Sequence, residues 1–200
     1  IGDLDGDGLP EVCVAGADVS VICLNHDGSF RWAAGSTIYG YGFPAFADLN
    51  EDGTAEVLFG NMVFDAQGNL LWTGAGGAGH YMSFAADIDG DGTQEVFAGN
   101  TIYNVDGSIR VTLPVGDGPA AIADFDLDGT PEVVTVASAT VSLSGIDGSL
   151  RWSTALPDGR GGGPPTIADF DGDGYPEVGV AGSQYYSVFD TDGAVLWSDS

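Results

Sequence analysis

The sequence predicts an all-β protein, a β-propeller of about five four-stranded antiparallel blades. Three observations lead to this prediction. An acidic motif occurs five times at intervals of about 40 residues, which is typical of a blade repeat. Short apolar runs flank each motif, and a hairpin with a D-G or Q-G pair follows. No stretch keeps a 3.6-residue apolar period, so we expect essentially no helix.

Each repeat has the same internal order. An apolar strand such as PAFADL (44–49) enters the acidic motif, and a second strand such as EVLFGN (56–61) leaves it. A hairpin such as MVFDAQGNLLW (62–72) supplies the other two strands, and its glycine predicts a two-residue β-turn. We expect a single domain over 1–200 with repeat units at approximately 1–40, 41–80, 81–117, 118–161 and 162–200. These units either close into a five-bladed ring or belong to a larger propeller.

The motif itself is D-h-[DN]-x-D-G-x-x-E-V, where h is apolar. It starts at Asp3, Asp48, Asp87, Asp124 and Asp169. Oxygen-bearing side chains at positions 1, 3 and 5, a glycine at position 6 and a glutamate at position 9 let one turn of backbone wrap a hard cation, and Ca²⁺ suits such a loop better than Mg²⁺. An EF-hand would need Glu at position 12, and none of the five loops has one there.

This nine-residue loop between two strands resembles the calcium loops of FG-GAP repeats, as in integrin α-subunit propellers, and is more similar to bacterial VCBS-type repeats. The resemblance covers nearly the whole chain and implies about one Ca²⁺ per repeat, up to five. It implies side-chain ligands at positions 1, 3, 5 and 9 and a backbone carbonyl at position 7. The implied ligands are Asp3, Asp5, Asp7, Leu9 and Glu11; Asp48, Asn50, Asp52, Thr54 and Glu56; Asp87, Asp89, Asp91, Thr93 and Glu95; Asp124, Asp126, Asp128, Thr130 and Glu132; and Asp169, Asp171, Asp173, Tyr175 and Glu177.

We expect the ion to stabilise each loop rather than to take part in catalysis. A catalytic metal needs acid–base groups nearby, and the sequence has no set of them that departs from the repeat. Asn50 lowers the charge of the second loop, so we expect that site to bind most weakly. The alternative for all five loops is a solvated turn that holds no ion.

Composition excludes several other classes of protein. The net charge is −26, with 30 acidic residues against four arginines and no lysine, so no basic patch is available for nucleic acid. No apolar run approaches the ~20 residues that span a bilayer. The chain begins at Ile1 without a Met, which is typical of a processed or excised segment, and we expect a secreted, extracellular or cell-surface location.

Two cysteines, Cys13 and Cys23, fall on what read as neighbouring strands of one hairpin. They predict either a cross-strand disulfide or two small buried apolar side chains.

Two further sets of residues keep step with the repeat. One position of the repeat holds Trp32, Trp72, Trp152 and Trp197, with Val111 in the third unit. Because the tryptophans follow the repeat, they favour packing between blades over sugar stacking.

Another position of the repeat holds Arg31, Arg110 and Arg151, with Leu71 and Leu196 in the other two units. These arginines predict ion pairs with a neighbouring acid rather than a catalytic set.

A ligand-binding surface should break the repeat. The unrepeated polar and aromatic residues of the loops between units are Tyr39, Tyr41, His80, Tyr81, Asp117 and Arg160. They predict either a rim that binds a sugar or a peptide, or surface-loop residues with no binding role. His26, in the NHDG turn, is expected to be exposed on the opposite face.

Three functional hypotheses remain. The first is a non-enzymatic, calcium-binding extracellular module for cell adhesion, binding or assembly, with a protein, a glycan or further copies of itself as partner. The second is a lectin-like carbohydrate-binding propeller, which would depend on the rim tyrosines. The third is the propeller portion of a polysaccharide-degrading enzyme, which the scarcity of lysine and arginine disfavours.

Overall fold

The computed structural model describes residues 1–16, 21–35, 42–77 and 82–200. These ranges contain nineteen β-strands and no helix, which confirms the all-β prediction. Nothing in the described part of the chain is therefore a helix of the length and apolarity that crossing a membrane requires.

The strands form five antiparallel sheets, called blades 1 to 5 in chain order. Blade 1 has three strands and the other blades have four, and each strand pairs with its neighbour in sequence. The strands of blades 1 to 3 are β1 (Val12–Ala15), β2 (Val21–Leu24), β3 (Phe30–Ala34), β4 (Ala45–Ala47), β5 (Glu56–Phe59), β6 (Met62–Phe64), β7 (Leu70–Thr73), β8 (Ser83–Ala86), β9 (Glu95–Ala98), β10 (Thr101–Tyr103) and β11 (Ile109–Thr112). Those of blades 4 and 5 are β12 (Ala120–Ala123), β13 (Glu132–Ala137), β14 (Thr140–Gly145), β15 (Leu150–Ala155), β16 (Thr166–Ala168), β17 (Glu177–Ala181), β18 (Tyr186–Phe189) and β19 (Val195–Asp199).

Blade 1 has a short equivalent of the missing first strand. Gly2 and Glu11 form an isolated antiparallel bridge. The two residues exchange backbone hydrogen bonds of 3.1 and 2.8 Å. The first acidic loop is therefore framed on both sides, as the other four are.

Burial explains why the strands after the last four acidic loops are largely apolar, whereas β1, after the first loop, is partly exposed. Every residue of β5 and β9 is buried, and so are most residues of β13 and β17. The last strands of blades 2 and 5, β7 and β19, are mostly exposed. A strand covered on both faces has no need of alternating polar residues, whereas a strand at the sheet edge faces solvent.

The chain consists of two compact units, Ile1–Arg110 and Val111–Ser200. In the first unit, one apolar cluster joins Cys23 and Trp32 of blade 1 to Phe59 and Phe64 of blade 2. A second cluster joins blades 2 and 3. The second unit has a single cluster, between blades 4 and 5. In both units the apolar core thus lies between facing sheets, as packed propeller blades require.

The hairpin turns differ from the two-residue prediction. In blade 1 the N–H of Asn25 donates to the carbonyl of Ser29 at 2.9 Å, and the N–H of Gly28 donates to the carbonyl of Asn25 at 2.8 Å. Three residues, 26–28, therefore lie between the closing pair, and the other four blades repeat both bonds. The prediction was wrong because it gave the D-G pair both central positions of a two-residue turn. Asp27 instead accepts the N–H of Ser29 at 2.9 Å, and Gly28, at φ 81°, is the left-handed residue.

The two cysteines face each other directly. Cys13 of β1 and Cys23 of β2 are register partners with Cα atoms 4.1 Å apart, and a disulfide bond joins them. The bond cross-links the two strands that follow the first acidic loop.

Candidate metal centre in the acidic loops

The acidic loops, numbered 1 to 5, cover 3–11, 48–56, 87–95, 124–132 and 169–177, and their aspartates bind the loop's own backbone. In loop 1, Asp3 accepts hydrogen bonds from the N–H groups of Gly6 (2.8 Å) and Gly8 (2.9 Å). Asp7 accepts the N–H of Leu9 at 2.7 Å. The bonds from the sixth residue to the first and from the seventh to the fifth recur in loops 2 to 5. The backbone therefore curls around the carboxylates.

Two positions of each loop have a left-handed backbone, and the sequence pattern identified only one. The glycine at position 6 has φ between 85° and 95° in all five loops. Position 4 also has a positive φ in all five, which the sequence pattern does not predict, and it holds Glu51 in loop 2 and Leu127 in loop 4. A non-glycine residue pays roughly 1–2 kcal/mol for this conformation. Glycine at position 4 of the other three loops was the signal that identifies it.

The glutamate at position 9 is the buried member of each set. Glu11, Glu95, Glu132 and Glu177 are 0–2% exposed, and Glu56 is 7% exposed. In each loop this side chain accepts the backbone N–H of the second residue, at 2.9 Å for Leu4 and 2.5 Å for Phe170. Similar bonds form in loops 2, 3 and 4. The bond closes the loop by tying its end to its beginning.

Burial raises the pKa of Glu56, Glu132 and Glu177, and neighbouring aspartates of the same loops raise it further. Backbone hydrogen bonds act in the opposite direction on exposed aspartates. The N–H of Thr54 lowers the pKa of Asp52, and that of Gly92 lowers the pKa of Asp87. In loop 2 an aspartate whose pKa is lowered thus lies in the same loop as a buried glutamate whose pKa is raised, so the charge of Glu56 is costly to bury without a counter-ion.

Carboxylate oxygens gather within 4.8 Å of one another in four loops. In loops 1, 3 and 4 the carboxylates at loop positions 1, 3 and 9 lie this close together. In loop 5 those at loop positions 1, 3, 5 and 9 do. In loop 2 the amide of Asn50 donates to Asp52 at 3.1 Å. Glu177 Oε1 is buried and accepts no hydrogen bond. A hard cation would satisfy that oxygen and offset the crowded charge, so these residues fit Ca²⁺. The carbonyl ligands at Leu9, Thr54, Thr93, Thr130 and Tyr175 stay predictions.

Residues 3–59 and 124–180 match the family described as FG-GAP-like repeat. Each matched segment contains two consecutive acidic loops and the strands between them. The chain belongs to the FG-GAP-like repeat family. No curated protein sequence matches the chain.

Several solved structures resemble this FG-GAP-like chain. The V. cholerae biofilm matrix protein Bap1 superposes with a TM-score of 0.74 and 29% identity, over 84% of this chain and 30% of that one. The Pseudomonas aeruginosa PilY1 C-terminal domain gives 0.66 and 14%, over 93% and 59%. The Bacillus licheniformis rhamnogalacturonan lyase PL11 gives 0.57 and 18%, over 98% and 56%. The chain thus spans between about a third and three fifths of these proteins, and the last two likenesses show the fold alone.

The repeated arginines pair with the acidic loop of their own blade. Arg31 contacts Asp5 at 2.8 Å. Arg110 bridges Asp89 and Glu95, both at 2.9 Å. Arg151 bridges the equivalent pair in loop 4, at 3.5 Å from Asp126 and 3.1 Å from Glu132. These contacts confirm the predicted pairing with a neighbouring acid, and the acid is in each case a candidate metal ligand.

The predicted rim is described only in part. Tyr39, Tyr41, His80 and Tyr81 lie outside the described residues. Asp117 and Arg160 are exposed in loops that join successive blades, as expected. His26 is exposed in its turn, which was also predicted. The ligand-binding rim therefore stays a prediction.

Proposed function

We propose that this chain is a calcium-binding, non-enzymatic module of an extracellular protein, and that it serves adhesion, binding or assembly. The observation that carries the proposal is the buried glutamate that closes each acidic loop against its aspartates. One such site in every blade is typical of a structural ion rather than a catalytic one, because a catalytic metal needs an open coordination position and adjacent acid–base groups.

Calcium is the cation that best fits this donor set. Carboxylate and carbonyl oxygens are hard ligands, and Ca²⁺ accepts six to eight of them in flexible geometry. Mg²⁺ demands a near-ideal octahedron and retains water, so it usually binds through one or two carboxylates. The loops offer at least three carboxylates each. Extracellular modules commonly bind calcium at roughly 10⁻⁴–10⁻³ M.

The likeness to Bap1, described as a biofilm matrix protein, supports the part of the proposal that concerns adhesion or assembly. Its identity with this chain is 29%, against 18% for the lyase PL11. The rhamnogalacturonan lyases match at 16–18% identity, which supports a shared fold and carries no argument for catalysis. A lyase activity is therefore the outcome that the experiments below must exclude.

Thermal unfolding with and without calcium tests the structural role. Because the ion binds the folded chain, calcium at 100 times its Kd should stabilise the fold by about 2.7 kcal/mol for each site occupied. EDTA should lower the Tm, excess CaCl₂ should restore it, and MgCl₂ at the same ionic strength should not. A Tm that is the same in EDTA and in CaCl₂ contradicts calcium binding.

Incubation of the calcium-loaded chain with rhamnogalacturonan tests the non-enzymatic assignment. A lyase would release unsaturated products that absorb in the ultraviolet, and we expect none. Retention of the same protein on a bacterial exopolysaccharide matrix, compared in CaCl₂ and EDTA, tests adhesion. Product formation would overturn the assignment, while retention that is absent in both solutions would contradict the adhesive role.

A further inference from the structure

We propose that acidic loop 5 is the calcium site of highest affinity in this chain, and that Arg31, Arg110 and Arg151 weaken calcium binding at loops 1, 3 and 4. The inference rests on the calcium binding proposed above. The arginines occupy the third position after the glycine of the hairpin turn. The residue at this position sets the order of calcium affinity among the loops.

The arginines already neutralise part of the ligand set. Arg110 Nη1 lies 2.9 Å from Glu95 Oε1, and its Nη2 lies 2.9 Å from Asp89 Oδ2. Arg151 makes the same two contacts in loop 4. A cation that enters these loops must share or displace a guanidinium, and the two positive charges repel each other.

Loop 5 has no such competitor. Its blade carries Leu196 at the arginine position. Glu177 is fully buried, one oxygen accepts the N–H of Phe170, and the other, Oε1, has no hydrogen-bond partner. The equivalent Oε1 atoms of Glu95 and Glu132 are the atoms that the arginines bind. An unsatisfied buried carboxylate oxygen is costly, so loop 5 gains most when a cation binds.

The number of clustered carboxylates points in the same direction. Loop 5 brings four of them within 4.8 Å, whereas loops 1, 3 and 4 bring three. Loop 2 also lacks the arginine, since Leu71 occupies that position, but Asn50 replaces one carboxylate. Loop 5 therefore combines the largest cluster of carboxylates with the absence of a built-in counter-ion.

Isothermal calorimetry with CaCl₂ on the full chain tests this order. Leu196→Arg should weaken the tightest binding step, and Leu196→Met is the matched uncharged control. We expect a loss on the order of tenfold, the size of the repulsion between a divalent and a monovalent ion about 6 Å apart in water. Arg151→Leu should leave the tightest step unchanged and strengthen one of the weaker steps by a similar factor.

Terbium luminescence identifies which loop fills first. Loop 5 alone carries a tyrosine at position 7, Tyr175, where the other loops carry Leu or Thr. Tb³⁺ bound there should be sensitised by that ring, and Tyr175→Thr should remove the tyrosine-dependent part of the signal while it keeps the backbone carbonyl. The tyrosine-dependent signal should saturate at the lowest Tb³⁺ concentration.

The outcomes separate the two proposals. If the chain takes up no calcium and its Tm is unchanged by EDTA, the proposal of calcium binding is contradicted. If calcium binds but Leu196→Arg leaves the tightest step unchanged, or if the Tyr175 signal saturates last, the assignment of loop 5 is overturned while calcium binding stands. A circular dichroism spectrum of each variant in CaCl₂ shows that the β-sheet is retained.

Discussion

The indole ring of Trp32 lies over Gly68, the turn glycine of the following blade. A Cβ atom built on Gly68 would lie 2.6 Å from that ring, so no side chain fits there. The indole N–H donates to the carbonyl of Ala66 in the same turn at 3.0 Å. Trp72 makes both contacts with Gly107 and Val105, and Trp152 makes them with Gly193 and Thr191. Packing between neighbouring blades, predicted for the repeated tryptophans, is confirmed at these three.

Gly68→Ala should destabilise the chain for two reasons. The backbone at Gly68 is left-handed, with φ 85°, which costs an alanine roughly 1–2 kcal/mol. The new methyl group must also displace the Trp32 ring, and overpacking of this kind typically costs a further 1–3 kcal/mol. Urea unfolding followed by tryptophan fluorescence in CaCl₂ measures the total.

Gly28→Ala is the matched control for that variant. Gly28 occupies the same position of the blade 1 turn with φ 81°, and nothing lies within 4 Å of the Cβ that would be added. Gly28→Ala should lower the free energy of unfolding only by the cost of the left-handed backbone. Equal losses of unfolding free energy in Gly28→Ala and Gly68→Ala would show that the Trp32 ring does not restrict the space at Gly68.

Much of this fold follows from the sequence because its signals are repeated. The five acidic loops, the apolar strand after each loop and the turn glycines each recur, so each prediction rests on several occurrences of the same signal. The partner of each arginine was predicted only as a neighbouring acid. Its identity depends on the register of the last strand, which a bulge shifts, as between Leu143 and Ser144 in blade 4.

Other features of the site depend on contacts that sequence does not show. Position 4 of the loops is left-handed even where the residue is Glu51 or Leu127, because the hydrogen bonds of the neighbouring loop residues fix the backbone. The unpartnered oxygen of Glu177 depends on complete burial of its side chain. The contact between Trp32 and Gly68 joins residues of different repeats, which a pattern within one repeat cannot reveal.

Arg110→Leu should destabilise the chain more in the absence of calcium than in its presence. Without calcium it leaves Glu95, whose side chain is 3% exposed, with an uncompensated charge. Because the Arg110 side chain is itself 30% exposed, we expect a loss of only about 1–2 kcal/mol in EDTA. With calcium in excess the ion replaces the guanidinium, so the loss should shrink or vanish.

Urea unfolding of the Arg110→Leu variant in EDTA and in CaCl₂ measures both effects. Arg160→Leu is the control, because it removes the same charge from an exposed loop between blades. A loss for Arg110→Leu that is as large in CaCl₂ as in EDTA would mean that the arginine does not compete with the ion.

The disulfide between Cys13 and Cys23 should contribute about 2–3 kcal/mol to stability. The bond closes a loop with a sequence separation of 10 residues, and the loss of chain entropy in the unfolded state scales with the logarithm of that length. Replacement of both cysteines by serine should lower the urea midpoint, and dithiothreitol should lower the wild-type midpoint equally. The double variant should then be insensitive to dithiothreitol, and a residual response would indicate that the reductant acts elsewhere.

Asp158 should give the chain a stability contribution that disappears in acid. It lies in the segment between β15 and β16, and its two oxygens accept the backbone N–H groups of Gln184 (3.0 Å) and Arg160 (3.1 Å). It thereby ties the loop after blade 4 to the hairpin between β17 and β18. These bonds, with that of Gln184 foremost, hold the pKa of Asp158 below its ordinary value of 3.8.

A carboxyl group whose pKa is lowered by folding stabilises the fold fully above its ordinary pKa, and the contribution is lost as the pH falls through the folded pKa. Asp158→Asn removes the charge and one of the two acceptors. The variant should therefore unfold at lower urea than the wild type at pH 5–7, and the difference should shrink steadily below about pH 3.8. Acid also protonates the acidic loops, but that loss is common to both proteins and cancels in the difference. Asp199→Asn, an exposed acid at the end of β19, controls for the change of one charge and should show a smaller difference at pH 6. A difference for Asp158→Asn that stays constant down to pH 3 would mean that its hydrogen bonds do not favour the ionised form.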